Sequence, residues 1–210
     1  MAREFFYDNQ IRRFILQFVR MFSNFQVEIG APDSSGNRDM LTVPVMYGDL
    51  SRNVAQIMRE ASENKVLSAP RMSCYINQLQ YQRERIQEPN FIDKLHVRQR
   101  KYDENTKTYS RTQSNAVTVE RHMPVPYELR MNLDIWTTNT EMKLQLLEQI
   151  LCLFNPDFEI QSTDNYVDWT SLSYVHLENV NFSSRSIPVG TEDQIDISQL
   201  EFSMPIWLSM

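Results

Sequence analysis

The residues with the clearest potential for chemistry are carboxylates that begin at residue 157. Asp157 and Glu159 lie close together, and Asp164 and Asp168 follow them. Paired carboxylates can hold metal ions for phosphoryl transfer, but nucleases of the restriction type also need a lysine two residues after the second carboxylate. Gln161 occupies that position. The spacing therefore favours a solvated acidic loop. A metal-dependent nuclease that uses Asp157, Glu159 and Asp164 remains the least favoured of the three functions considered for this chain.

The histidines and cysteines form no recognisable catalytic or metal-binding pattern. His96, His122 and His176 make no His-x-x-x-His pair, and none lies at ligand spacing from a cysteine. Cys74 and Cys152 lie in apolar-patterned segments, which predicts two buried, reduced thiols. The sequence has only four glycines, too few for a phosphate-binding glycine loop. We therefore expect no enzymatic activity, no cofactor and no bound metal.

Charge is distributed unevenly along the chain. The net charge is −6, which argues against a general DNA or membrane binder. Residues 155–210 carry nine acids against one base, whereas residues 94–111 carry six bases against two acids. Such polarity suits head-to-tail docking between copies or onto charged partners, and the alternative is a solvated surface. The candidate interface residues are Arg98, Arg100, Lys101, Lys107, Arg111, Asp157, Glu159, Asp164 and Asp168.

Two kinds of partner fit the basic segment at 94–111. Its arginines and lysines are mixed with Tyr102 and Tyr109, a combination that can hold phosphates and stack on bases. The arginines can equally pair with carboxylates of a neighbouring subunit. Composition does not separate the two interpretations, although the acidity of the whole chain favours a protein partner.

The N-terminal part of the chain predicts one helix followed by strands. An apolar stripe predicts a helix from a cap at Asp8 or Asn9 to about Asn24. Strands are predicted at 25–29 and 41–47, separated by turn residues, and Pro44 predicts an edge strand or a bulge. No apolar run approaches the roughly 20 residues that span a bilayer, and no signal peptide is recognisable at the N-terminus. We expect a protein made in a reducing cytoplasm.

The middle of the chain predicts a second helix and a projecting hairpin. The second helix is expected at 51–62, and a strand at 70–83 changes phase at Asn77-Gln78, which indicates a bulge. Residues 92–114 predict two polar strands around a turn at 102–107, with the projecting hairpin at 94–111. A two-stranded ribbon is marginal alone, so we expect it to dock on a partner.

The C-terminal half predicts a sheet with a helix packed on it. Alternation over 127–135 predicts a strand with one covered face, and the cluster at 137–140 predicts the N-cap of a helix that ends at Phe154. Further strands are expected at 158–162, 171–180 and 197–208. The prediction is a single α+β domain over 1–210, a mostly antiparallel sheet with helices on one face.

Several blocks of the sequence resemble a known family, the tail-terminator, tail-completion and sheath-stabiliser proteins of contractile-tailed, T-even-type bacteriophages. The most specific block is PVPYELRMNLDIWTTNTEMKLQLLEQILCLFNPDFEI at 124–160. The other blocks are FFYDNQIRRFILQFVRMFSNFQVEI at 5–29, VPVMYGD at 43–49, the strand at 70–83 with RIQEPNF at 85–91, and LEFSMPIWL at 200–208. The resemblance covers the chain apart from the hairpin tip and the loop near 183–196.

The resemblance implies a non-enzymatic virion protein. It implies a hexameric ring that caps the tail tube and sheath and joins the tail to the neck at its head-proximal end. The implied partners are further copies of the chain, the tail tube protein, the sheath protein and the neck or connector protein, while DNA passes the lumen without specific binding. The alternative function is a head-completion or neck adaptor that contacts DNA through the basic hairpin.

Overall fold

The computed structural model describes residues 5, 7–30, 38–48, 70–86, 88, 91–163, 170–185 and 195–209. The predicted helix at 51–62, most of the turn after Gly30, and the candidate residues Asp164 and Asp168 lie outside the described residues. By Cα proximity the chain divides into two compact units. The ribbon unit comprises 1–6, 82–126 and 207–210, and the sheet unit comprises 7–81 and 127–206. That residues 1–210 form a single domain stays a prediction.

The described residues belong to the α+β class. Two α-helices, α1 (Gln10–Met21) and α2 (Thr140–Leu151), accompany a 3₁₀ turn at Arg83–Arg85 and twelve strands. The strands are β1 (Gln26–Ile29), β2 (Asp39–Thr42), β3 (Val45–Tyr47), β4 (Arg71–Tyr81), β5 (Ile92–Arg98), β6 (Tyr102–Asp103), β7 (Thr108–Tyr109), β8 (Ala116–His122), β9 (Val125–Thr137), β10 (Asp157–Thr163), β11 (Thr170–Arg185) and β12 (Ile195–Leu208). No helix in this part of the chain is long and apolar enough to cross a membrane.

A six-stranded sheet organises the larger unit, in the order β10-β11-β12-β9-β4-β3. Its pairs β10–β11, β11–β12 and β4–β9 are antiparallel, whereas β3 runs parallel to β4, so the sheet is mixed. The predicted strand at 41–47 is interrupted at Pro44: β2 pairs with β1 in a separate sheet, and β3 forms the edge of the large one. The edge position predicted from Pro44 is confirmed. The bulge predicted at Asn77-Gln78 is also confirmed, because the β4–β9 register shifts between Ile76 and Gln78.

The apolar stripes of the helices point into the core, as their periodicity predicts. Phe18 of α1 and Leu147 of α2 are buried. Phe202 of β12 lies among three rings, with centroid distances of 5.4 Å to Phe18, 5.4 Å to Phe22 and 5.2 Å to Phe154. Phe18 belongs to α1, Phe22 follows α1 directly, and Phe154 follows α2, so the chain at the ends of both helices contributes to the apolar cluster around Phe202. Burial of such rings is the main source of stability in a core of this kind.

The helix boundaries confirm one predicted cap and correct two details. Asn139 caps α2, because its side chain accepts a hydrogen bond of 3.0 Å from the backbone N–H of Glu141. At α1 the prediction of a side-chain cap is wrong: Asn9 has φ 53° and makes no such bond. The Asp8 carboxylate is engaged elsewhere, because it accepts from Arg13 at 2.7 Å. Helix α2 ends at Leu151 rather than at Phe154 as predicted.

Two predictions about burial were wrong. The thiol of Cys152 is exposed, because α2 ends one residue earlier and Cys152 already belongs to the turn that leaves the helix, while Cys74 is buried as predicted. Strand β9 was expected to have one covered face, but Asn132, Asp134 and Trp136 on its second face are buried as well. Asn132 and Asp134 are polar, so their residue types predicted a solvent-facing side, although the folded chain buries it.

Candidate partner interface

The basic hairpin is part of a longer two-stranded ribbon. Strand β5 pairs antiparallel with β8 from Ile92 opposite His122 to Arg98 opposite Ala116. The predicted second strand at about 108–114 is therefore replaced by the short β7 and by β8 further along the chain. Beyond Arg98 the chain continues to the tip strands β6 and β7, which pair with each other. We call residues 92–122 the ribbon.

The tip of the ribbon is held by local contacts. The rings of Tyr102 and Tyr109 lie on opposite strands with their centroids 5.0 Å apart. In the turn, the side chain of Asp103 accepts a hydrogen bond of 3.0 Å from the backbone N–H of Asn105. Lys107 adopts a left-handed backbone conformation with φ 50°, which closes the turn. Both tyrosine rings remain exposed, so the tip presents aromatic surface.

The five basic candidate residues lie together in the half of the ribbon nearest the tip. Within the part of the chain that the structure describes, none of them makes an ion pair with a carboxylate, although Arg98 donates a hydrogen bond of 3.5 Å to the side-chain oxygen of Gln113. All five are exposed. They are Arg98, Arg100, Lys101, Lys107 and Arg111. Unpaired exposed cations favour association with a negatively charged surface.

Lys94 differs from these five, although it lies in the same basic segment. Its Nζ lies 2.8 Å from Oε1 of Glu120 on the opposite strand. This hydrogen bond and the lysine charge lower the pKa of the Glu120 carboxyl. Both side chains are exposed, so the pair contributes little to stability. Lys94 is therefore compensated within the ribbon and is not available to a partner in the same way.

Two of the acidic candidates lie on one face of the edge strand β10. Asp157 lies opposite His176 of β11, and Glu159 lies opposite Tyr174. Asp157 hydrogen-bonds and pairs with His176, and that contact raises the pKa of His176 above its ordinary value. Sequence gave no signal of this pairing, because it depends on the register between two strands.

Nothing in the described residues supports the nuclease alternative. No group of three or more His, Cys, Asp or Glu side chains among them is placed to hold a metal ion. Asp157 is engaged by His176, and Glu159 is an exposed residue of the strand edge. The third carboxylate of that alternative, Asp164, lies outside the described residues.

A partly buried polar cluster on the second face of the sheet was not recognised in the sequence. The hydroxyl oxygen of Tyr75 accepts hydrogen bonds from the side-chain amides of Asn132 at 3.2 Å and Gln199 at 2.7 Å. Burial raises the pKa of the adjacent Asp134 to about 6, although hydrogen bonds with Gln199 and Tyr75 act in the opposite direction. The cluster joins β4, β9 and β12, so it holds the centre of the sheet together rather than presenting a surface.

Exposed cations without ion-pair partners on the ribbon and carboxylates on a sheet edge, both within the described residues, are features typical of an interaction protein. The sequence matches the family described as T4-like virus Myoviridae tail sheath stabiliser over residues 5–210. The chain belongs to this family, and it is a structural component of the virus tail, not an enzyme. No individual curated protein sequence matches the chain.

Proposed function

We propose that this protein forms a ring that terminates the tail tube and sheath of a contractile tail and joins the tail to the neck. The observation that carries the proposal is that one chain of this family presents two complementary surfaces. The ribbon carries cations without ion-pair partners, and a sheet edge carries carboxylates. A heterologous contact between two different surfaces of the same chain repeats head to tail and can close into a ring. The resemblance to tail-terminator and sheath-stabiliser proteins implies that the ring contains six copies.

The family and the resemblance also suggest where the ring lies in the tail. As a sheath stabiliser the protein contacts the sheath protein, and its further partners are the tail tube protein and the neck or connector protein at the head-proximal end of the tail. The ring assembles in the host cytoplasm. DNA passes its lumen without specific binding, since the chain carries a net charge of −6.

The candidate interface residues take two roles in this proposal. Arg98, Arg100, Lys101, Lys107 and Arg111 face carboxylates of a neighbouring subunit or of the adjoining tube or sheath ring. Asp157, Glu159, Asp164 and Asp168 line a subunit interface or the lumen, where negative charge keeps passing DNA from binding. Arginine suits the first role because its planar group can hold both oxygens of a carboxylate.

We extend the proposal to the fold of the whole chain. Residues 1–210 form one tail-terminator-like domain, a mostly antiparallel sheet flanked by helices on one face, from which the hairpin at 94–111 projects. The contacts of Phe202 with rings next to both helices support the placement of the helices on one face. The continuous pairing of β5 with β8 supports a defined ribbon.

The experiment measures protection of the sheath. Tails that lack this protein are purified with extended sheaths, and loss of sheath subunits after dilution is followed with and without added protein. The parent protein is expected to slow the loss, and the triple variant Arg98→Glu, Arg100→Glu, Lys101→Glu is expected to do so poorly while melting within about 2 °C of the parent, because exposed charges contribute little to stability. No protection by the parent protein contradicts the proposal.

A matched control separates the ribbon from charge in general. Arg12 and Arg20 on α1 and Arg83 before the ribbon are also exposed cations. Their triple replacement by Glu changes the net charge by the same amount as the ribbon variant. We expect the control to protect the sheath like the parent. Equal loss of protection in both variants would show that net charge, not the ribbon, matters.

A DNA-contacting neck or head-completion adaptor is the second candidate, and the tyrosine pair at the ribbon tip favours it. Tyr102 and Tyr109 are exposed and flanked by cations, a combination that can stack on bases and hold phosphates. This function predicts DNA binding that falls steeply with salt and is lost in the ribbon variant. Sheath protection that survives nuclease treatment, together with weak DNA binding, would exclude it.

A further inference from the structure

One face of the ribbon changes in character toward the tip. Far from the tip, Lys94 pairs at 2.8 Å with Glu120, which lies directly opposite on β8. Arg98 shares this face, because residues two or four positions apart along a strand point to the same side. It lies opposite Ala116, which carries no charge. The cations of this face are therefore compensated within the ribbon at one end and uncompensated at the other.

The same face continues without interruption to the tip. The backbone carbonyl of Gln99 accepts a hydrogen bond of 2.9 Å from the N–H of Ser114, and the carbonyl of Lys101 accepts one of 2.8 Å from the N–H of Ser110. Two carbonyls two residues apart that both point to the opposite strand are typical of an extended chain. The alternation of side chains therefore runs unbroken over residues 98–102.

The part of this face nearest the tip combines two arginines with two tyrosine rings. Arg100 and Tyr102 follow Arg98 at steps of two residues, and Tyr109 lies opposite Tyr102. Within the described part of the chain neither arginine has an ion-pair partner, and the rings are 47% and 65% exposed. The rings are inclined at 60° to each other, so they form one apolar knob rather than two parallel platforms for stacked bases. We call Arg98, Arg100, Tyr102 and Tyr109 the arginine–tyrosine face.

A surface of complementary character lies at the edge of the large sheet. Leu172 and Tyr174 of β11 lie opposite Gln161 and Glu159 of β10, so these four side chains share one face. Leu172 is 71% exposed and Tyr174 is 43% exposed, whereas the alternate residue Val175 is fully buried. We call Leu172, Tyr174 and Glu159 the edge patch. It combines apolar side chains with a carboxylate for which the described residues provide no ion-pair partner.

We propose that the arginine–tyrosine face of one copy docks on the edge patch of a second copy of this chain. The inference rests on the proposed ring, and it names the two surfaces that meet. Charge complementarity identifies the occupant: Arg100 lies next to Tyr102 on one surface, and Glu159 lies beside Tyr174 on the other. The tyrosine knob and Leu172 supply the apolar centre of the contact, and the arginines with Glu159 supply its charged rim.

Each copy offers one arginine–tyrosine face and one edge patch, so the contact is heterologous. Such contacts repeat around an axis and close when the rotation fits. We expect Leu172→Asp to weaken association between copies at least about tenfold, because it places a charge at the apolar centre of the contact. Leu144→Asp is the matched control, since Leu144 on α2 is also an exposed leucine, and it is expected to leave association unchanged.

The first test is disulfide trapping in a variant with Cys152→Ser, because Cys152 is exposed and Cys74 is buried. One preparation carries Tyr109→Cys and the other carries Leu172→Cys, and they are mixed and mildly oxidised. A disulfide-linked dimer that forms efficiently only in the mixture is expected. The control replaces Thr108, which lies beside Tyr109 on the opposite face of the tip, by Cys. Trapping of Thr108→Cys as efficient as that of Tyr109→Cys would overturn the proposal.

The second test is a charge exchange between Arg100 and Glu159. Arg100→Glu and Glu159→Lys are each expected to weaken association, and the double variant is expected to recover it. The control combines Arg100→Glu with Glu148→Lys on the exposed side of α2, which restores the net charge without restoring the pair. Recovery in the control as complete as that in the exchange variant would overturn the contact.

The outcomes separate this contact from the proposed ring. A parent ring that is indifferent to Leu172→Asp and to the exchange overturns the docking contact while the ring stands. A parent that forms no ring, alone or on tails, overturns the proposed function together with this contact. Protection of Tyr109→Cys from a thiol reagent by DNA, tube protein or sheath protein, without trapping by Leu172→Cys, overturns the choice of a second copy.

Discussion

Replacement of Phe202 by alanine is the most informative test of the core. The ring is 1% exposed and has the rings of Phe18, Phe22 and Phe154 within 5.4 Å of its centroid. A buried Phe→Ala change costs about 3–5 kcal/mol, and each lost ring pair adds to the cavity cost. With three ring neighbours we expect about 4–5 kcal/mol, the upper end of that range. For a chain of this length, this corresponds to a melting temperature lower by about 8–20 °C.

The assay is equilibrium unfolding in urea, with Phe182→Ala as the matched control. Phe182 lies on the neighbouring strand β11 but is 63% exposed, and its main polar contact is Lys143 Nζ at 5.9 Å from the ring centroid. We expect the control to lose about 1 kcal/mol or less. A loss below about 1 kcal/mol for Phe202→Ala, or equal losses in both variants, would show that the helices do not pack on β12 as described.

Three further predictions concern a buried carboxyl, the thiols and a helix cap. Because the pKa of Asp134 is raised from 3.8 to about 6 in the folded protein, the folded state binds more protons than the unfolded state between these values. Stability is therefore fully present below pH 4 and falls by about 3 kcal/mol as the pH rises past 6; Asp134→Asn is expected to abolish this fall in urea unfolding curves, and an unchanged pH profile would refute it. In the native protein a thiol reagent should modify the exposed Cys152 rapidly, and should modify Cys74 only on unfolding, because burial raises the pKa of the Cys74 thiol; rapid modification of both thiols would contradict this. Asn139→Ala should lower the free energy of unfolding by about 1 kcal/mol through loss of the cap of α2, whereas Asn139→Asp should cost much less; equal losses would show that the cap does not matter.

Elements with a strong local pattern could be predicted from the sequence. The spacing of Phe14 and Phe18 identifies α1 and its buried face, because the helical period is a property of neighbouring residues. Pro44 predicts an edge strand or a bulge for the same reason, because proline lacks a backbone hydrogen-bond donor at that one position, and the structure has the edge strand. The bulge at Asn77-Gln78 is visible as a change in the phase of apolar residues.

What covers each face of a strand could not be predicted in the same way. Asn132 and Asp134 alternate with apolar residues and so predict a solvent-facing side, yet both are buried. They are buried beside Tyr75 and Gln199, which come from other strands of the sheet. A polar residue type carries no information about partners that the tertiary fold brings to it.

In the candidate interface, the exposure of the charged residues could be predicted from the sequence, whereas their pairing could not. The polar composition of the segment at 94–111 predicts that Arg98 and Arg100 are exposed, and both are exposed in the structure. Which charges are already paired depends on strand register: Lys94 meets Glu120 across the ribbon, and Asp157 meets His176 across the sheet edge. Register is set by pairing over the whole strand, so it cannot be read from one segment. The register of β8 against β5 also places Leu95, Val97, Val117 and Val119 on one face of the ribbon.

In the proposed function this chain works as a ring built from its own copies. Light scattering coupled to size-exclusion chromatography tests it most directly, with the protein measured alone and mixed with tail tube protein. We expect a species of about 150 kDa, six copies of a 24.9 kDa chain, either alone or once tube protein is present. A mass that stays at one copy under both conditions, at concentrations where the parent protein protects tail sheaths, would contradict it.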